Sequence, residues 1–141
     1  MPKYIDKSFV ILCLSGLLFA CNLTGEKVID RGLLKIYFSE SANEKIISKF
    51  ADYWIQEEYI GARHQNIKIT EDKTKDIFQI RLILRKDFSA ETKINFEELK
   101  LLDQIQQDLN TFVFQKKKCE LVICDNKFQT LSTPIPLIPE Q

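Results

Sequence analysis

At 141 residues, with 45% hydrophobic and 28% charged side chains, the chain has the make-up of one ordinary folded domain. Four glycines and four prolines are too few for a fibrous or largely disordered sequence. Twenty basic residues balance twenty acidic ones, so bulk charge implies neither nucleic acid nor an anionic membrane surface as a partner.

The chain begins with Lys3 and Lys7, followed by an uncharged run from Ser8 to Ala20 rich in Phe, Leu, Ile and Val. This is the layout of a positive n-region and an apolar h-region. At roughly 13 residues the run falls short of the ~20 that a membrane-spanning helix needs. It ends on Leu18-Phe19-Ala20-Cys21, which resembles the lipobox of bacterial lipoproteins. The resemblance implies removal of residues 1–20, lipidation of Cys21 as the new N-terminus, and attachment to a membrane of the cell envelope. Asn22, where an aspartate would signal retention at the inner membrane, leans the resemblance towards the outer membrane. The other reading of the segment is an ordinary cleaved signal that leaves Cys21 as a thiol. Without residues 1–20, which hold Lys3, Lys7 and Asp6, 121 residues remain with 18 basic and 19 acidic side chains, a net charge of −1.

Residues 21–32 show no sustained periodicity and read as a tether, whose ~11 residues beyond the cysteine reach at most ~36 Å. Residues 33–132 then hold the pattern of a domain. Leu34, Ile36 and Phe38 alternate as a first strand. Ser41 with Glu44 has the spacing of a capping box, and Ile46, Ile47, Phe50, Tyr53, Trp54 and Ile55 recur at helical intervals, giving a helix over roughly 42–60 with Gly61 as its stop. Ile67 and Ile69 mark a second strand over 66–70, and the polar segment 71–76 reads as a hairpin turn. Phe78, Ile80, Leu82 and Leu84 mark a third strand, apolar on one face. Asn95 with Glu98 caps a second helix, along which Phe96, Leu99, Leu102, Ile105, Leu109, Phe112 and Val113 form an apolar stripe that Leu101 broadens. Residues 119–124 are a fourth strand, and 127–131 could return as a final edge strand after an Asp125-Asn126 turn. In the tail 133–141, Pro134, Pro136 and Pro139 exclude helix and central strand, so it is extended. Its aliphatics either lie across the domain or are offered to a partner.

The order strand, helix, strand, strand, helix, strand is that of an α+β, ferredoxin-like split βαβ domain, an antiparallel sheet with two helices on one face. The rival is an α+β arrangement in which the final hairpin leads the sheet order. That fold by itself carries no function.

Little of the chemistry is distinctive. No phosphate-cradling loop, paired-cysteine metal pattern or nucleophile elbow is present, so no cofactor and no metal are expected. Cys119 and Cys124 would lie ~17 Å apart on opposite faces of an extended strand, beyond the ~7 Å that a disulfide bridges. They are separate buried thiols unless a turn breaks the strand between them or a second chain supplies a bridge. His64 is the only histidine, a solvated loop residue or, with Glu57, Glu58 or Asp52, the centre of a small envelope enzyme. Lys116-Lys117-Lys118 either complement the dipole of the preceding helix or touch anionic head groups. Tyr53, Trp54 and Tyr59 are either core and core edge or a partner surface, because Tyr and Trp are enriched at interfaces. Together these point to a lipid-anchored binding module, not an enzyme, with an envelope protein or ligand as its partner. An inhibitory or immunity-type lipoprotein is the alternative.

Overall fold

The computed structural model describes residues 25–84 and 94–132. Cys21 and the signal before it, and the proline tail 133–141, lie outside the described residues. Seven elements follow one another: β1 Glu26–Arg31, β2 Leu34–Ser39, α1 Glu44–Gln56, β3 Gln65–Asp72, β4 Ile77–Leu82, α2 Phe96–Phe112 and β5 Cys119–Ile123.

β1 replaces most of the expected tether. Only Ile29 of its six residues is buried, so the strand carries no apolar alternation for sequence reading to detect. What holds it is the hairpin to β2. Arg31 pairs with Leu34 across the two-residue loop Gly32-Leu33, Gly32 supplies φ +73°, and its N–H donates to Asp30 Oδ1 at 3.0 Å. The first described strand starts at Glu26, five residues beyond Cys21 in the sequence, a separation of about 18 Å at most.

The sheet runs β1-β2-β3-β4-β5. β1 with β2 and β3 with β4 are antiparallel, whereas β2 with β3 and β4 with β5 are parallel. The sheet is thus mixed, and each βαβ unit joins neighbouring strands, where a split βαβ unit would leave room for one between them. Apolar residues fall in rows across the sheet: Ile36, Ile67, Leu82 and Ile123 form one, Phe38, Ile69, Ile80 and Leu121 the next. All eight are buried in one core with Ile47, Phe50 and Trp54 of α1 and Leu102, Ile105 and Leu109 of α2. Each fully buried side chain of this size contributes roughly 1.5–3 kcal/mol.

Both helices lie on that one face, as expected, but the linear order changes what this means. Both crossovers step in the same direction along the sheet, from starting strands that point in opposite directions, so with both helices on one face their hands must differ. One of them is left-handed, against the strong preference for right-handed crossovers. A split order would let both be right-handed, which is why the element pattern alone favours it.

The helix boundaries shift as well. Asn43, not Ser41, caps α1, its Oδ1 accepting from Lys45 N–H at 3.0 Å, while Ser41 Oγ is engaged with Ser39 Oγ. The capping box of α2 forms as read, with Glu98 N–H donating to Asn95 Oδ1 at 2.8 Å and Asn95 N–H to Glu98 Oε2 at 3.0 Å. Its apolar stripe is core only in the middle, because Phe96, Leu99, Leu101 and Phe112 are exposed. The final strand is a single bridge, Cys124 to Thr130, closed by Asp125 Oδ1 accepting from Lys127 and Gln129 N–H.

Two amides on successive turns of α2 reach the outer edge of β5. Asn110 accepts from Cys119 N–H at 2.7 Å and donates to Cys119 C=O at 3.0 Å, and Gln106 accepts from Leu121 N–H at 2.7 Å. Leu131 N–H closes the edge at Ile123 C=O, at 2.9 Å.

Candidate functional site

The end of α1 builds the aromatic cluster that sequence reading singled out. Glu58 takes φ 58°, Glu58 N–H donates to Ile55 C=O at 3.0 Å, and Tyr59 N–H reaches back to Trp54 C=O at 3.2 Å. These are the two bonds of a Schellman motif, with a glutamate in the left-handed position usually held by glycine. The helix therefore stops at Gln56 and not at Gly61. The motif folds Tyr59 back over the helix, so that its ring meets Trp54 edge-on at 5.1 Å. Trp54 is only 2% exposed, and its Nε1–H donates to Gln65 Oε1 at 2.9 Å.

Around this anchor the seam between the helices is aromatic. Tyr53 lies 6.4 Å from Tyr59 and stacks on Phe112 of α2 at 5.9 Å, with an interplanar angle of 26°. Tyr53 and Tyr59 are half-buried, and Phe112 is 53% exposed. Tyr59 Oη donates to Asp108 Oδ2 at 3.5 Å, and Gln104 Nε2 donates to Asp108 Oδ1 at 2.9 Å. Burial pushes the Tyr59 phenol up to about 12, reinforced by Tyr53, Asp108 and Glu57. Burial, Glu57 and Asp108 also raise Tyr53. Both phenols therefore stay neutral donors at physiological pH. The structure brings the three expected residues together and divides them: Trp54 is core, while Tyr53 and Tyr59 reach the surface. Phe112, which the helical stripe assigned to the core, completes the patch.

No family model matches this chain, and no curated protein or solved structure matches it significantly.

The remaining candidates separate. His64 is exposed, and among the described residues no hydrogen bond or ion pair joins it to Glu57, Glu58 or Asp52; Asp52 lies 3.7 Å from Arg31. Lys117 contacts Glu71 and Asp76 and sits over the Phe78 ring at 5.3 Å. Lys118 Nζ donates to Asn110 C=O at 3.2 Å, in the last turn of α2, the place where a cation complements a helix dipole. Cys119 and Cys124 are free and buried. Burial pushes the Cys119 thiol up to about 12, and it raises Cys124 against the opposing effect of Arg81. Among the described residues no three His, Cys, Asp or Glu side chains cluster as metal ligands, and no helix is long and apolar enough to cross a membrane.

The opposite face of the sheet carries a polar network. Arg81 donates to Phe128 C=O, to Thr130 Oγ1 at 2.5 Å and to Gln79 Oε1 at 3.1 Å, and Gln79 Nε2 donates to Glu120 at 2.9 Å. With Tyr37 at 6.1 Å from Phe128, this network fastens the 125–131 loop across the sheet. Its bonds are satisfied within the chain, so it reads as structural.

Proposed function

We propose that this chain is a lipid-anchored lipoprotein of the cell envelope, with the outer membrane favoured, and that it acts as a non-enzymatic binding module through the aromatic seam of Tyr53, Tyr59 and Phe112. The observation that carries the reading is Phe112, a large ring left exposed while stacked on a half-buried tyrosine. Large aromatics fixed by neighbouring rings lose little side-chain freedom on binding and are typical interface anchors.

Two measurements test it. Cys21→Ala leaves the precursor uncleaved and unlabelled by a fatty-acid probe, and normal labelling of this variant sinks the lipoprotein reading. Mild crosslinking of the lipidated protein in its own membranes, followed by mass spectrometry, recovers an envelope partner that Phe112→Ser loses. Recovery unchanged by Phe112→Ser removes the seam as the binding surface.

A further inference from the structure

Resting on that reading of the seam, we propose that its guest is a cationic side chain, an arginine or lysine presented by the partner protein. In the seam the Tyr53 ring lies 6.4 Å from Tyr59 and 5.9 Å from Phe112, and the face of an aromatic ring attracts a cation through its quadrupole. Two carboxylates stand beside these rings. Asp108 accepts from Tyr59 Oη, and Glu57 and Asp108 both act electrostatically on each tyrosine.

Neither carboxylate has a cationic partner among the described residues. Asp108 is held by two neutral donors, a phenol and an amide, and among the described residues no cation offsets its charge. The other side of α1 is different: Glu44 pairs with Lys27 at 3.3 Å, and Asp52 approaches Arg31 at 3.7 Å. β1 thus supplies cations to the helix flank it adjoins, and among the described residues the flank facing α2 receives none. Rings with uncompensated carboxylates beside them suit a guanidinium or ammonium group, which would stack on the exposed ring and reach Asp108 or Glu57. An anionic guest would meet the same two charges as repulsion, and a purely aliphatic one would leave them unanswered. The residues after the signal carry a net charge of only −1, so attraction of a cation to this patch is local.

Trp54 is the chain's only tryptophan and touches Tyr59, so its fluorescence reports on the seam. The full lipidated chain in detergent is titrated with a short arginine-containing peptide and with the same peptide carrying citrulline, which keeps the shape and removes the charge. Saturable binding is expected for the arginine peptide, weakened about tenfold or more for citrulline. Asp108→Asn and Phe112→Ser each weaken the arginine peptide about three- to tenfold. Glu40→Gln, an exposed acid outside the seam, leaves it unchanged. Equal binding of the two peptides, no saturable binding, or indifference to both seam variants overturns the proposal. Circular dichroism of Phe112→Ser, a change at an exposed position, shows that the fold is retained. Loss of the crosslinked partner in Phe112→Ser, with citrulline binding as well as arginine, would leave the binding surface standing and refute its cationic guest. A partner indifferent to Phe112→Ser would refute the surface itself.

Discussion

β1 and β5 are both edge strands, yet their outer backbone groups keep different company. Residues 119, 121 and 123 of β5 face outward, and four of their groups are taken: Cys119 N–H and C=O by Asn110, Leu121 N–H by Gln106, and Ile123 C=O by Leu131 N–H. Among the described residues β1 has no such cover. Five of its six residues are exposed, and four are charged. An open edge is a template for pairing with another chain, and here charge guards it. In an antiparallel pairing of two β1 strands centred on Val28, Glu26 falls opposite Asp30. Centred on Ile29, Lys27 falls opposite Arg31. Directly opposed like charges destabilise a ladder, so each register meets repulsion. One edge is closed by hydrogen bonds at a cost in sequence freedom on α2, and the other stays open but disfavours its own copy.

The comparison breaks most clearly at Asn110. Asn110→Ala strips two buried backbone groups of their partners, and urea unfolding should show a loss of about 2–4 kcal/mol. A loss within ~0.5 kcal/mol would mean that the side-chain cover is incidental. Gln106→Leu leaves one buried N–H unpaired and should cost about 1–3 kcal/mol, a smaller effect from the same assay.

Alkali tests the covered edge in another way. Cys119 on β5 and Tyr59 on the seam are both pushed up to about 12, above their ordinary values of ~8.5 and ~10. Between the ordinary and the folded value the unfolded chain has lost the proton and the folded chain has kept it, so stability falls as pH rises. It is fully present at pH 7 and declines from about pH 8.5 upwards. Cys119→Ala should flatten the first part of that decline in unfolding midpoints measured from pH 7 to 10.5, and an unchanged slope would show that the thiol does not contribute.

The smallest thermodynamic effect belongs to β1. Glu26→Thr with Lys27→Thr, which relieves both opposed pairs, removes two exposed ion pairs and should cost about 0.5–1 kcal/mol while producing dimers or larger species in size-exclusion chromatography. A double variant that stays monomeric would show that the charges do not guard the edge.

The two ends of the chain's pattern were unequally legible. Helix α2 could be read because Asn95 and Glu98 are local neighbours whose hydrogen bonds close within one turn. β3 and β4 were legible for a similar reason, since Ile67, Ile69, Phe78, Ile80 and Leu82 alternate over a short polar turn. β1 could not be read from apolar periodicity, although Asp30 and Gly32 mark its turn, because an exposed edge strand needs no apolar face. Tyr53, Trp54 and Tyr59 could be grouped from their spacing on one helix. Phe112 could not, because whether the last apolar residue of a stripe is covered depends on how far α2 runs past the strand and helix beneath it.

Sequence alone determined the number and kind of the central elements, the capping of α2, the separation of the two cysteines on one strand and the resemblance that gives Cys21 its expected lipid. These are local properties, fixed by spacing, turn residues and the reach of one strand or one helical turn. Tertiary structure decided which strands are neighbours, that two of the four joints are parallel, that the crossovers differ in hand, and that Phe112 meets Tyr53 at the surface. Each of these depends on which apolar face packs against which. The same alternating pattern satisfies a split or a linear order until the core rows of Ile36 with Ile67 and Ile80 with Leu121 are brought into register.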